Sequence, residues 1–361
     1  MTTVREIVAW MEQWAPAELA EEWDNVGLQL GSAESPVGRV VVALDAGAGV
    51  VEFCRHQQVG LLITHHPLIF QPLRQVRTDR PQGRLVSALL EQGIALYVSH
   101  TNFDLAAGGL NDLLAQALGL ADRAVLLPAA GESLYKLVVF VPTSHTAAVR
   151  QALGDAGAGW IGQYSHCTFA ARGTGTFLPR SGANPYLGEP GRLEEVEEER
   201  LETIVPERRR VAVLEAMRAA HPYEEIAYDL IPLANRDSRA GLGRVGAVEP
   251  QPLASFVQRV ELALGARPCC IDGDPGRTIR RVAVCAGSGG HLVERAAGLG
   301  ADVLITGDIG YHQRQEASAL GMALIDAGHA ETEALFVPAI ADQLCRDFPG
   351  LHVLTYPERS V

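Results

Sequence analysis

The chain has 361 residues, enough for two or three domains, and 47% of them are hydrophobic, ample for real cores. Its formal net charge is −13, with 30 Lys and Arg against 43 Asp and Glu and no long basic stripe. That argues against duplex nucleic acid as a partner, since phosphate binding is mostly electrostatic, but not against a small phosphorylated ligand, which meets only a local field. The six cysteines form no CxxC pair, so a disulfide framework is not expected and a zinc ribbon is excluded by spacing. Cys54 and Cys285 stand in apolar contexts and read as buried thiols. The segment Met1–Ile7 carries charges where a signal peptide would be apolar, and no stretch approaches the ~18 apolar residues of a spanning helix. A soluble, cytoplasmic protein without a membrane partner is expected.

In chain order, residues 3–14 read as an amphipathic helix and Val40–Leu44 as a strand. A helix over 49–57, the strand Leu61–Thr64, a helix over 82–92 and the strand Ile94–Ser99 follow. Short apolar strands alternating with helices imply parallel βαβ units. The second half repeats the pattern. Val282-Ala283-Val284 matches Val40-Val41-Val42 at an offset of 242 positions, which also relates Leu304-Ile305-Thr306 to Leu62-Ile63-Thr64. Gly321-Met322-Ala323-Leu324 resembles Gly93-Ile94-Ala95-Leu96, and a histidine follows each, His329 and His100. Either the chain is an internal duplication of two lobes, or apolar strands match by chance.

Between the lobes lies a different stretch. Leu134–Val141 reads as a strand, 144–156 as a helix, and Gln163 to Phe177 as a glycine-rich strand pair. A Gly- and Pro-rich loop, Gly182–Gly191, leads to the acidic run Glu194–Glu202, which reads as a solvated strand or loop face. Pro206 opens a helix to Ala220, and Ile226–Ile231 closes the segment as a strand. This order suggests a ferredoxin-like α+β insert. The expected fold is α/β: two related lobes, 1–125 and 237–361, forming one domain, interrupted by the insert 126–236.

Three segments hold ligand chemistry. His65-His66 follows a strand that reads as buried on both faces, and Pro67 stops the ladder. Loops at the carboxyl ends of such strands are where open α/β sheets place their sites. Successive side chains on extended chain point opposite ways, so the pair suits two metals better than one; the alternative is a satisfied histidine pair at a strand end. The second segment is Ser99-His100-Thr101-Asn102-Phe103-Asp104. Taken alone, Asp104 is a helix N-cap and His100 a hydrogen-bonded strand-end residue. In the third, Gly328–Glu333, His329 and Glu333 are four apart and share a helix face, about 40° apart around the axis. Glu331 lies on the far side. Nitrogen and oxygen ligands at three strand ends of related lobes are far more specific than any one of these.

Other motifs stay open. Gly287-Ser288-Gly289-Gly290 is either a tight turn or an anion-holding one. Trp23-Asp24-Asn25 is either a packing turn or a pocket edge. His312 offers a general acid or base, and Asp308 a support for a ligand. His221-Pro222-Tyr223-Glu224-Glu225 carries some metal-ligand chemistry but reads first as a structural turn into the last insert strand.

These segments resemble the dinuclear metal centre hexameric protein family, also called GTP cyclohydrolase I type 2 homologues. Glu22–Leu28, His65–Phe70, Ser99–Asp104, Gly287–Gly289, Thr306–Asp308 and Gly328–Glu333 carry the likeness. In the insert, Gly173–Phe177, Gly182–Pro185 and His221–Glu225 match the longer members, whose insert is PII- and CutA-like. The resemblance implies two divalent ions per subunit, His65, Asp104 and Glu333 on one, and His66, His329 and the shared Glu333 on the other. His100 and His312 would line the cavity and shuttle protons. Five ligands for two ions leave positions for water, and the donor set suits zinc first, with Fe, Mn or Co also accommodated. It further implies a homohexameric ring and a small-molecule, nucleotide-like substrate, with metal-bound hydroxide attacking purine C8 and formate released. Two-metal phosphoester or amide hydrolysis, and a non-enzymatic regulatory assembly, are the alternatives.

Overall fold

In the computed structural model, residues 2–129, 133–161, 164–234 and 240–356 are described. The chain divides into two compact units, Met1–Ala130 with Ser238–Val361, and Gly131–Asp237. The expected strand start at Gln163 and the expected boundary at 236 and 237 lie outside the described residues.

The first unit is built on two sheets. One runs in the spatial order Gly27–Leu30, Ala95–Val98, Leu61–Thr64, Arg39–Ala43, His352–Thr355. The other runs Cys270–Asp272, Ala323–Asp326, Val303–Gly307, Thr278–Ser288, Gly241–Pro252, Ala121–Pro128. The sequence repeat survives as strand register. Val40 pairs with Leu61 and Val282 with Val303, each pair displaced by the same 242 positions. Leu61 then pairs with Ala95, and Val303 with Ala323, all in parallel.

Alternation along these strands sorts their side chains between two layers. Val40, Val42, Leu61 and Ile63 share one core with Val282, Val284, Val303 and Ile305, joined by Phe103 and Phe336. Val41, Ala43 and Leu62 point the other way, against the helix Ala48–His56. The two lobes therefore share a buried layer, and the ligand-bearing strand ends lie along it.

Two edges were not expected from the repeat. Residue 126, where the insert was expected to begin, lies inside the strand Ala121–Pro128. That strand pairs with Gly241–Pro252, so a first-half strand completes the second sheet. The C-terminal strand His352–Thr355 pairs in parallel with Arg39–Ala43 and completes the first. Each sheet thus takes an edge from the other half of the chain. Beside the first exchange, buried Arg244 donates through Nε and a terminal nitrogen to both carboxylate oxygens of Asp112, at 2.8 and 2.7 Å. It also donates to the carbonyls of Gly241, Gly243 and Ala106.

The unit Gly131–Asp237 follows β-α-β-β-α-β order: Leu134–Pro142, Thr146–Asp155, Thr168–Phe177, Glu194–Pro206, Arg210–Ala220, Tyr228–Leu233. Its antiparallel sheet runs Thr168–Phe177, Glu194–Pro206, Leu134–Pro142, Tyr228–Leu233, the ferredoxin-like arrangement. The glycine-rich segment gives one long strand, Thr168–Phe177, whose partner is the acidic run; the expected pairing within the segment is replaced by this hairpin. Core residues Leu137, Val139, Leu201 and Val205 meet both helices on one face. No helix among the described residues is long and apolar enough to cross a membrane.

Removing Asp112 takes a two-point carboxylate contact from a buried guanidinium, which costs about 3 kcal/mol. Asp112→Ala is expected to lower the urea midpoint accordingly, measured by circular dichroism, with the loss concentrated in the first unit's transition.

Candidate metal centre

Leu61, Ile63 and His65 alternate onto the same side of their strand, so the apolar face that enters the shared core ends in an imidazole. His65 is fully buried, with its ring 5.0 Å from Phe336. Its Nδ1 donates to the Ser99 carbonyl at 2.8 Å, one strand over. His66, partly exposed, gives its Nδ1 to Asp45 at 2.9 Å. In the other lobe, the turn at Gly328 (φ +88°) starts the short helix His329–Glu333, and His329 Nδ1 meets Asp308 Oδ2 at 2.6 Å. His100 gives its Nδ1 to Asp24, 3.0 Å from both carboxylate oxygens. With Nδ1 committed to an oxygen acceptor in all four, Nε2 is the nitrogen left for a ligand.

Three of those Nε2 atoms converge on one carboxylate. Glu333 Oε1 lies 3.6 Å from His65 Nε2 and 3.1 Å from His329 Nε2, and Oε2 lies 3.0 Å from His66 Nε2. Asp104 Oδ1 lies 3.7 Å from His65 Nε2. His65 Nε2, Asp104 Oδ1 and Glu333 Oε2 are buried without a well-formed hydrogen bond. Burial of polar atoms in that state is costly, and a cation between them removes the cost. Among the described residues, two groups have ligand atoms close enough to share an ion: His66, His329 and Glu333, and His65, His66 and His100. The donor set fits divalent metal.

The charges agree with a site built for cations. Burial opposes the Glu333 charge, yet the imidazoles of His329, His65 and His66 hold its carboxyl far below the usual carboxylate range. Burial opposes protonation of His66 as well, but Asp45 and Glu333 outweigh it and raise the ring to about 10. Glu333 lifts His329 to about 9 against a smaller effect of burial, with help from Asp308. His65 moves up too, Asp104 and Glu333 overcoming its burial. Burial, reinforced by the Glu333 charge, pushes Asp104 up to about 6 despite His65. Without metal the cluster is thus held together by protons, which an ion must displace.

Asp104 is not a helix N-cap: it lies within the short helix Thr101–Leu105, 8% exposed, with its carboxylate facing His65. His312 is exposed on the helix Tyr311–Ala319 with its ring against Tyr311, and belongs to neither ligand group. Trp23-Asp24-Asn25 is more than a packing turn. Besides His100, Asp24 accepts from the Thr101 hydroxyl and amide, and these partners hold it at about 2 against its burial. Trp23 is 55% exposed, with its ring 5.8 Å from Phe70 and 6.2 Å from His100.

Two amides of the glycine turn are already bonded, Gly287 N–H donating to the Thr332 hydroxyl and Gly289 N–H to that of Thr306. The turn's role is spatial. Gly287 has φ +62°, and a Cβ there would stand 2.4 Å from Glu333 Oε1. Asn111 ties the lobes behind the site, donating to the Asp104 carbonyl and accepting from Ala286 N–H, both at 2.9 Å. Asp24, Asp45 and Asn111 were missed as supports, since a lone acid or amide before the structure has no partner. Only Asp308 had a signal, its place in the repeat.

The family described as Duf34/NIF3 (NGG1p interacting factor 3) matches residues 2–359. The chain belongs to the Duf34/NIF3 family. A relative from Halalkalibacterium halodurans, named GTP cyclohydrolase 1 type 2 homolog, is 45% identical over 90% of this chain and 87% of its own. A Bacillus subtilis relative of the same name is 43% identical over the same shares. A crystal structure of a Bacillus cereus protein related to NIF3 covers 99% of this chain and 98% of its own, at 41% identity and a TM-score of 0.87. The mixed α/β architecture is therefore that of NIF3-related proteins, and the buried His/Glu cluster lies within the matched region.

Two outcomes follow for the NIF3 cluster. Gly287→Ala is expected to displace the Glu333 carboxylate and lower bound metal at least tenfold, read by elemental analysis after dialysis. In chelated protein, His66 and His329 have folded values above the unfolded ~6.5, so their contribution is complete below that pH and lost as pH rises through about 9 and 10. The melting temperature of chelated protein should fall between pH 7 and 10, and the slope should flatten in the double variant His66→Asn, His329→Asn.

Proposed function

We propose that this chain is a metal-dependent hydrolase of a nucleotide-like substrate, with the GTP cyclohydrolase I type 2 reaction as the named activity. The observation that carries the reading is the convergence of His65 Nε2, Asp104 Oδ1 and Glu333 Oε2, buried without a well-formed hydrogen bond, among imidazoles fixed through their other nitrogens. His65, Asp104 and Glu333 would hold one ion, and His66, His329 and the shared Glu333 a second. Zinc is the first choice, and the donors also suit Fe, Mn or Co. Divalent ions bound there supply Lewis acidity and make water a nucleophile at neutral pH.

The chain's own residues do the rest. Glu333, held ionised by the facing imidazoles, would hold an ion without giving up a proton to the reaction. Asp24 fixes His100 with the proton on Nδ1, leaving Nε2 to accept a proton and return it to the leaving nitrogen. The exposed rings of Trp23 and Phe70 beside His100 give a flat base a surface to stack on. In the proposed reaction water adds at purine C8 and the C8–N9 bond breaks; a second water then releases C8 as formate. The name carried by the curated relatives agrees with this reading. Assembly as a cytoplasmic homohexamer belongs to the same proposal, and light scattering of the purified protein tests its stoichiometry.

The experiment is formate release from GTP by metal-loaded protein. His66→Ala and Glu333→Gln should lose both metal and turnover. Asp24→Asn should keep its metal and slow turnover about a hundredfold, the size of a general acid–base contribution. Full metal occupancy with no formate defeats the reaction; phosphate released in its place would redirect it to phosphoester hydrolysis.

A further inference from the structure

Three motifs that the metal cluster does not use meet inside the unit Gly131–Asp237. The glycine-rich strand Gly173–Phe177, the Gly- and Pro-rich loop that follows it, and the His221–Glu225 turn line one cavity of about 670 Å³. Sites for small organic ligands have about this volume, 300–1,000 Å³.

The cavity is built around a carboxylate. Glu198 sits in the acidic run, where a solvated face was expected, yet it is only 8% exposed. Register places Gly173 opposite it, and at Gly175 a Cβ would stand 2.1 Å from Glu198 Oε2. Gly175 thus makes room for the carboxylate. The Tyr223 hydroxyl donates to Glu198 Oε1 at 3.0 Å, while Oε2 has no hydrogen-bond partner among the described residues. Tyr223 is itself held: its N–H donates to His221 Nδ1, and His221 Nε2 donates to the Phe140 carbonyl. The rings of Phe177 and Tyr186 lie 5.9 and 6.3 Å from that of Tyr223. The loop is tied to the turn by Asn184 N–H donating to Glu224 Oε1 at 2.9 Å.

This lining selects a ligand class. Aromatic walls favour a flat ring. A carboxylate is acceptor-only, so the ring must present donors, best two adjacent N–H groups. A 2-aminopyrimidinone edge, as in guanine, does so; the adenine edge places a ring acceptor beside its amino group and is repelled. Exposed Arg172 and Arg180 at the same cavity offer a phosphate partners. We propose that this cavity is a binding site for a guanine nucleotide, with its amino edge on Glu198 and its phosphate on Arg172 and Arg180, separate from the metal cluster.

The test is calorimetric titration of full-length, chelator-stripped protein with GMP and AMP. One GMP per chain should bind, with AMP at least tenfold weaker. Glu198→Gln, which turns one acceptor into a donor, should weaken GMP at least tenfold. Tyr186→Ala, on a surface loop, should weaken it severalfold and decides the matter if the Glu198 variant does not fold. No saturable GMP binding, equal affinity for AMP, or unchanged affinity in a folded Glu198→Gln protein overturns the proposal. Choline binding in place of GMP overturns it too, since the aromatic rings would then serve a cation. The metal is absent from the experiment, so failure here leaves the hydrolase reading standing, and failure of the hydrolase leaves this one.

Discussion

A single buried carboxylate organises this protein's chemistry. Glu333 comes from one lobe, and two of the three imidazoles that face it, His65 and His66, come from the other. A charge at 2% exposure survives only among compensating groups. Everything nearby serves that requirement: Gly287 has no side chain to collide with it, and Asp45, Asp308 and Ser99 turn the right nitrogen of each ring toward it. The shared hydrophobic layer sets the distance between the lobes, and so sets whether these rings can meet at all.

The duplicated scaffold explains why one centre serves both halves. The lobes share strand register but differ at the strand ends. Where the first lobe has His66, the second has Asp308 at φ +56°, supporting His329 rather than offering a ring of its own. The first lobe thus offers candidate donors from two strand ends, His65 and His66 after Leu61–Thr64 and Asp104 after Ala95–Val98, and the second offers His329 and Glu333 after Ala323–Asp326 and a glycine turn. Duplication supplies matching geometry, and divergence at the ends supplies one complementary site.

Much of this was legible because it rests on local pattern. Leu61–Thr64 was readable to the residue, since a short apolar run stopped by Pro67 has few other readings. His65, His66, Asp104, His329 and Glu333 stood out as candidate nitrogen and oxygen donors at strand ends, and the fold brings them into one cluster. What was not legible depends on partners far away in sequence. Asp24 acquires meaning only when His100 is beside it, and Glu198 looks solvated until Gly175 and Tyr223 enclose it. The edge strands escaped for the same reason: Ala121–Pro128 alternates as any strand does, and nothing within it names Gly241–Pro252 as its neighbour.

Those exchanged edges bear on how the protein is made. The first sheet is completed by His352–Thr355, made long after Arg39–Ala43 and Leu61–Thr64, the strands at its centre. Strands separated so far in sequence pair late, because the intervening chain must be ordered first. A nascent chain therefore carries His65 and His66 on an unfinished sheet, with Glu333 still unsynthesised or unplaced. The cluster can close only once His329 and Glu333 have followed, so its geometry depends on both lobes being folded together.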